Sequence, residues 1–423
     1  MRVLFITIGA FKDINQSGIY TDLLRMFRNK GHTVYVICSR EKHEKKKTEF
    51  CIEDGINVLR VKTGNLTKCS LLEKGIATLL IGIQFQSAFD KHLRNISFDC
   101  ILYSTPPVTI ASMVKKIKKK TGAFTYLMLK DIFPQNAADL GLLKKSGLAG
   151  GIYWYFRYME KRLYQSSDKI GCMSPANVRY VLAHNAGIKK SKVEVCPNTN
   201  DLADAKEIVT DEFRKKYQIP KDRLVFVYGG NFGRPQNVDF VVRILRNFNG
   251  NKDVHFIMCG SGTEFYKVEK EGEINPNVTC IGQLPYKEYV QLLGNCDVGL
   301  IFLDERFSIP NFPSRLLDYL NFRLPVLMST DVSTDMGEIM EENGCGWWVR
   351  RNDEKAFVKE ILEINGQYRK DCCYIRHKGE NARKLLEREY TTQNAFDIIV
   401  QAYNKHERIN AYGINKKGKA FNN

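Results

Sequence analysis

The sequence predicts an α/β protein of two Rossmann-like, doubly wound halves, each with a parallel sheet, facing each other across a cleft. Three observations carry that prediction. A chain of 423 residues is too long for one ordinary core, apolar strand-like runs alternate with helix-period segments, and the alternation pauses once, near residue 200, before restarting. Apolar residues at 43% and charged residues at 26% fit folded domains rather than a disordered polymer.

The first half opens with an apolar run at residues 3–8 and a loop from Gly9 to Gly18. A helix-period segment follows, with Ile19, Leu23, Leu24 and Phe27 on one face. Lys30-Gly31 ends that helix, and residues 33–38 form the second strand of a βαβ opening. Further strands are expected at 57–61, 100–103, 124–129 and 169–172. After a polar stretch at 199–206 the second series places strands at 224–228, 254–258, 278–281, 298–302, 325–328 and 347–349. The expected domains are 1–203, basic and membrane-facing, and 204–385. A helix at 386–410 then packs back on the first domain, and 411–423 forms a basic flexible tail. Ligands of such sheets bind at the carboxyl ends of the strands, so the chemistry is expected there.

Charge is distributed unevenly. Residues 1–200 carry 32 Lys+Arg against 15 Asp+Glu, whereas the remainder carries 32 of each, so the entire net charge of +17 belongs to the first half. An anionic surface or ligand facing that half is the implied partner. Nucleic acid is excluded by the want of any helix-turn-helix, zinc-finger or ribonucleoprotein signature. No apolar run approaches the ~20 residues that span a bilayer, and the first residues do not read as a signal peptide. Twelve cysteines without metal-ligand spacing fit buried thiols in a reducing compartment, and the expected location is the cytoplasm.

Three glycine-containing turns in the second half each follow a strand and precede a helix: Gly229-Gly230-Asn231-Phe232-Gly233, Cys259-Gly260-Ser261-Gly262 and Ile281-Gly282-Gln283. Glycine lets backbone approach a ligand, and amides that open a helix favour phosphate oxygens. The segment Pro313-Ser314-Arg315-Leu316-Leu317-Asp318 adds a second anion-binding pattern. Pro313 suits a first helical turn, the amides of Ser314 and Arg315 are then free for an anion, and the Arg315 guanidinium matches a diphosphate. Asp318, about one turn on, is a candidate acceptor for a ribose diol.

These motifs, in this order, resemble the retaining glycosyltransferases of the GT-B fold, family four, and within them the bacterial surface-polysaccharide branch that includes N-acetyl-fucosamine transferases. The resemblance covers nearly the whole chain. It rests on Gly31-His32-Thr33-Val34, Asp131-Ile132-Phe133-Pro134 with Leu140-Gly141-Leu142, Met173-Ser174-Pro175, Pro197-Asn198-Thr199-Asn200-Asp201, the glycine turns, and Pro313 to Leu320 with Arg323-Leu324-Pro325-Val326. It implies that the loop after Gly230, with Gly233, reaches the donor phosphates and that the base lies near Gly282 to Leu284. The family's usual Arg and Lys of the phosphate loop fall on Asn231 and Gln236, with Arg234 as a substitute cation. Its paired glutamates fall on Pro310 and Asp318.

No Asp-x-Asp triplet and no His or Cys cluster occurs, so no metal and no other cofactor is expected beside the nucleotide-sugar co-substrate. Charge on the leaving diphosphate would be met by amides and by Arg234 or Arg315. In the first half, Lys130 and Asp131 end a strand and should point into the cleft. Asp131 either orients and deprotonates the acceptor hydroxyl or caps the following turn. The Gly9 to Gly18 loop would approach a diphosphate from the opposite wall. Aromatic and basic residues at 153–162, with an apolar helical stretch at 71–89, suit an anionic membrane surface.

The expected activity is transfer of a sugar from a nucleotide donor, UDP-linked, to a lipid-diphosphate-linked glycan in capsule or O-antigen synthesis, on the inner face of the cell membrane. A sugar-nucleotide 2-epimerase and a catalytically degenerate nucleotide-binding partner subunit are the alternatives.

Overall fold

In the computed structural model, which describes residues 1–67, 69–147, 150–203 and 211–419, the chain forms two compact units, Met1–Thr199 with Thr392–Asn423, and Asn200–Thr391. The first unit runs β1 Arg2–Ile6, α1 Ile19–Asn29, β2 Thr33–Glu41, β3 Glu49–Glu53, β4 Ile56–Thr63, α2 Leu71–His92, β5 Cys100–Ser104, α3 Ala111–Thr121, β6 Phe124–Leu129, α4 Gln135–Asp139, α5 Gly150–Ser166, β7 Lys169–Cys172, α6 Pro175–His184 and β8 Val193–Val195. Its eight strands lie in the order β3-β4-β2-β1-β5-β6-β7-β8. Every residue of β5 and β6 is buried, as expected for parallel strands covered by helices on both faces. Leu23, Leu24 and Phe27 form the inner stripe of α1, and Ser174 caps α6 by accepting from the Asn177 amide, with Pro175 at its first position.

One strand departs from the expected all-parallel pattern. β3 runs antiparallel to β4, with Glu53 opposite Ile56 and only Asp54-Gly55 between them. Both turn residues have positive φ, 49° and 72°, the conformation that favours Asp-Gly in a two-residue hairpin. The sequence carried that signal, and the strand reading that began at residue 57 passed over it.

The second unit runs α7 Asp211–Lys216, β9 Leu224–Asn231, α8 Val238–Arg246, β10 Val254–Ser261, α9 Phe265–Ile274, β11 Val278–Ile281, α10 Tyr286–Gly294, β12 Val298–Phe302, α11 Arg315–Asn321, β13 Val326–Thr330, α12 Met336–Glu342, β14 Gly346–Arg350, α13 Glu354–Lys370 and α14 Cys373–Glu389. Its sheet is parallel throughout, in the order β11-β10-β9-β12-β13-β14. Phe240, Ile244 and Leu245 of α8 pack with Phe226, Phe256, Phe302 and Phe357 in its core.

The final helix, α15 Thr392–Lys419, belongs to the first unit, where Phe396 meets Phe27 edge to face at 4.8 Å. The passage back falls at Thr391 and Thr392 rather than at 386. α14 continues to Glu389, and Thr391 forms a parallel bridge with Asn200, which ties together the two ends of the second unit. α15 also extends into the stretch expected as a tail; residues 420–423 lie outside the described residues, as do 204–210 at the expected domain boundary. No helix among the described residues is long and apolar enough to cross a membrane.

Strand order reverses beside β1 in the first unit and beside β9 in the second. The carboxyl ends of β1 and β5, and of β9 and β12, are therefore the crevices where a doubly wound sheet holds its ligand.

Candidate functional site

At the β9 and β12 crevice, β9 ends in Gly229-Gly230-Asn231. Gly230 has φ 136°, a conformation that a side chain resists, and a Cβ there would stand 3.2 Å from the Arg315 guanidinium. That guanidinium lies over the Tyr228 ring, 4.3 Å from its centroid. Its Nη1 is buried and has no hydrogen-bond partner among the described residues. Tyr319, one turn along α11, accepts the Gly229 amide through its hydroxyl at 3.0 Å. The ring of Tyr289 closes against Gly229. Burial opposes the charge on Arg315, yet the hydroxyls of Tyr228, Tyr319 and Tyr289 hold its pKa above the usual value. A fixed cation with an unspent donor beside an open glycine backbone is an arrangement for an oxyanion.

Several expected contacts fall elsewhere. α11 begins at Arg315, with Ser314 at the N-cap and Pro313 before it, and the amides of Leu316 and Leu317 turn back to the carbonyls of Pro313 and Ser314. Those bonds leave aside the amides of Ser314 and Arg315, the two expected to face an anion. Gln236 is buried, and its Oε1 accepts from Asn231 Nδ2 at 3.0 Å and from the Gly233 amide at 3.1 Å. Asn231, Gly233 and Gln236 therefore close the loop on itself instead of reaching outward as a cation pair would. Arg234 is exposed at the head of the Arg234–Gln236 turn, with no ion pair among the described residues. Gly260 and Gly262 answer a packing demand, since a Cβ on either would stand about 2 Å from the carbonyl oxygens of Gly230 and Phe232. Gly282, in contrast, has open space around it. The Cys259 thiol donates to its carbonyl at 3.6 Å, which anchors the Gly282 to Leu284 loop beside β10. Asp318 accepts from Asn200 Nδ2 at 2.9 Å, and its charge acts on Tyr289 and Tyr319 next to Arg315.

The β1 and β5 crevice has a different chemistry. Thr7, Ser104 and Thr105 are buried at or just past the ends of the strands. Ser104 donates to Thr7 Oγ1 at 3.0 Å, and Thr105 Oγ1 accepts the amides of Lys130 at 3.2 Å and Asp131 at 3.4 Å. Both oxygens of Asp131 accept from Asn136 Nδ2, at 2.7 and 2.8 Å. Asp131 is thereby tied to the turn that follows it, through the Ile132 amide and Asn136, although the N-cap position of α4 itself is Pro134. Burial lifts its carboxyl to about 6, against bonds from the Ile132 amide and Asn136 and the charge of Lys74, which pull it down. Tyr20 shares this field: burial raises its phenol, and the charge of Asp131 adds to the rise. A carboxylate titrating near neutrality among hydroxyls suits proton exchange with a substrate alcohol.

Two expectations for this half are corrected. Lys130 turns away from the crevice, its Nζ donating to the carbonyls of Cys196 at 3.3 Å and Pro197 at 3.1 Å, and burial lowers its pKa. The amide of Gly18 is taken by the protein's own Asp22 carboxylate at 3.1 Å, which also accepts from Ser17 and pairs with Arg25. The Gly18 amide is thus spent on an internal carboxylate rather than left open for a diphosphate.

Residue-by-residue reading of the sequence missed the tyrosines around Arg315 and the Thr7, Ser104, Thr105 and Asn136 set. Two signals were present: Tyr319 lies four residues after Arg315 on one helix, and hydroxyl residues directly follow the apolar runs of β1 and β5.

Residues 19–204 match the family Glycosyltransferase Family 4, and residues 209–380 match Glycosyl transferases group 1. The probable glycosyltransferase WbjE of Pseudomonas aeruginosa is 25% identical over 303 residues, 70% of this chain and 73% of its own length. The putative colanic acid biosynthesis glycosyl transferase WcaI of Escherichia coli strain K12 is 21% identical over 248 residues, 57% of this chain and 60% of its own length. Among solved structures, Anabaena Alr3699/HepE in complex with UDP superposes with a TM-score of 0.64 at 12% identity, covering 96% of this chain and 100% of that one.

Proposed function

The chain belongs to the GT-B glycosyltransferases, with a Family 4 first half and a group 1 second half, and from that premise we propose that it moves a sugar from a UDP-sugar to a lipid-diphosphate-linked glycan in bacterial surface polysaccharide synthesis, with retention at the anomeric carbon, on the cytoplasmic face of the membrane. The observation that carries the donor reading is the buried, unpartnered Nη1 of Arg315 beside Gly230. A diphosphate taken there completes the guanidinium's hydrogen bonding, and the charge that grows on it as the sugar departs meets a cation already in place. The open loop from Gly282 to Leu284 receives the base, and Asp318 with Asn200 serves the ribose. The UDP complex of the Anabaena relative supports the choice of nucleotide.

Asp131 orients the acceptor hydroxyl and takes its proton as the new bond to the anomeric carbon forms. The bond that breaks joins that carbon to the diphosphate, which leaves with the electron pair. Arg315 and backbone amides carry the leaving charge, so no divalent ion is required.

Thermal-shift measurements with UDP-, GDP- and dTDP-sugars test the donor, since a ligand of the native state alone stabilises it by mass action. UDP and its sugars should raise the Tm and EDTA should leave turnover unchanged. Strict dependence on Mg²⁺ or Mn²⁺ would contradict the phosphate site, and an inverted anomer in the product would contradict retention.

A further inference from the structure

The first unit carries a helix that is apolar on two opposite sides. Along α2, Ala77, Ile81, Phe85 and Ala88 are buried, and the helix sits so close to the Val108–Ile110 turn before α3 that a Cβ on Gly82 would stand 2.5 Å from the Thr109 carbonyl oxygen. Thr109 in turn donates to the Thr78 carbonyl at 2.9 Å. On the other side Leu72, Ile76, Leu79, Leu80 and Ile83 share an arc of about 100° and face solvent, Leu72 at 76% and Ile83 at 68% exposure. Nothing in the packing of the unit's described residues uses this stripe.

α3 packs against both α2 and α5. Its exposed positions are Ser112, Lys115, Lys116, Lys119 and Lys120. α5 then presents Ile152, Trp154, Tyr155 and Tyr158, with Trp154 and Tyr158 exposed at 58% and 57%. The indole N–H of Trp154 is satisfied by the Lys145 carbonyl at 3.1 Å, so the ring itself is what meets solvent. Neither α3 nor α5 has an exposed carboxylate; Glu160 is buried and paired with Arg157. The surface therefore reads, side by side, aliphatic, cationic and aromatic.

We propose that the outer faces of α2, α3 and α5 together form a docking surface for the headgroup zone of an anionic lipid bilayer. Aliphatic side chains of α2 enter the acyl boundary, the α3 lysines meet lipid phosphates, and the aromatic rings of α5 lie at the interface where amphipathic rings are most stable. A second copy of this chain fits less well, because mutual burial would bring two lysine faces together. The inner sides of the same helices, not the outer faces, border the acceptor crevice. Lys74 of α2 acts on the Asp131 carboxyl, and Phe156 of α5 stacks edge to face on Phe133, two residues after it, at 5.0 Å. Docking would thus bring a bilayer to the side of the unit where a lipid-linked acceptor is wanted. Only this purpose rests on the proposed acceptor; the surface stands on the geometry of one unit.

Flotation of the full chain with vesicles tests it, using phosphatidylglycerol-containing and pure phosphatidylcholine membranes. Wild type should float with the anionic vesicles and be released by high salt. Ile76→Ser with Leu80→Ser and Ile83→Ser should lower partitioning more than about tenfold, as should Trp154→Ala with Tyr158→Ala. Lys115→Glu with Lys119→Glu should abolish the preference for anionic lipid. The UDP-induced thermal shift should persist in each variant, which separates lost docking from lost folding. Wild type that stays at the bottom of the gradient overturns the proposal, as do variants that float like wild type. A dimer in sedimentation velocity that the Ile76, Leu80 and Ile83 substitutions dissociate, with flotation unaltered, assigns the face to self-association and also overturns it. Failure of the donor reading would instead appear as flotation without any nucleotide response.

Discussion

The two crevices are built on the same topology and hold opposite chemistry. Beside β9 the backbone is bare glycine, and the side chains that close on it are Arg315 and its tyrosines, a cation with one donor unspent. Beside β1 the chain ends hold hydroxyls and Asp131, an acid lifted by burial to about 6. The helix that opens the first unit has even filled its own amino end with Asp22. A doubly wound sheet supplies a crevice and leaves its sign to a few residues after the strands. On the proposed function, the second unit would hold the anion and the first the alcohol that loses a proton.

The contrast can be broken most severely at Arg315. Arg315→Ala should lower kcat/KM by about 10³ and remove most of the UDP thermal shift, because a charge-assisted donor pair is lost at the leaving group. Arg315→Lys should recover only part, since an ammonium cannot reproduce the planar fork over Tyr228.

Asp131→Asn comes next. Turnover should fall about 10²-fold while the UDP thermal shift is unchanged, separating the two crevices cleanly. The wild-type rate should rise with pH through about 6 as the carboxyl loses its proton. Stability should move the other way. The folded pKa of about 6 exceeds the ordinary value of 3.8, so the folded state holds the proton more tightly, and this contribution is lost as pH climbs from about 4 to about 6. Asp297, also lifted to about 6 by burial, adds to the same slope in denaturant titrations.

A smaller effect is expected at Gly230→Ala. Its φ of 136° strains any side chain, and at 3.2 Å the guanidinium must give by a few tenths of an ångström to admit a methyl group. Donor affinity should fall about tenfold, with a stability cost of roughly 1–3 kcal/mol from backbone strain. Gln236→Ala is the mildest. It strands the Gly233 amide and should cost about 1–2 kcal/mol in unfolding measurements, with a nucleotide response that survives.

Much of this was readable from the residues alone. Regular apolar runs placed the strands of the second unit within a few residues, because fully buried parallel strands must be nearly continuous in apolar side chains. The glycine turns and Arg315 were legible because backbone approach and anion binding restrict residue type. What stayed hidden depends on long-range partners. Gln236 aligns with a family cation yet folds back on Gly233, and Gly18 starts a helix whose anion site is taken by a carboxylate four residues later. Local pattern could not separate a glycine needed for a ligand, as at Gly230, from Gly260, which is needed only for its neighbouring strand.

The most direct test is a crystal structure of the chain with UDP. The account predicts a diphosphate oxygen within about 3 Å of Arg315 Nη1, with the phosphates lying along the Gly229-Gly230 backbone. A nucleotide bound elsewhere, with that nitrogen still unpartnered, would contradict it.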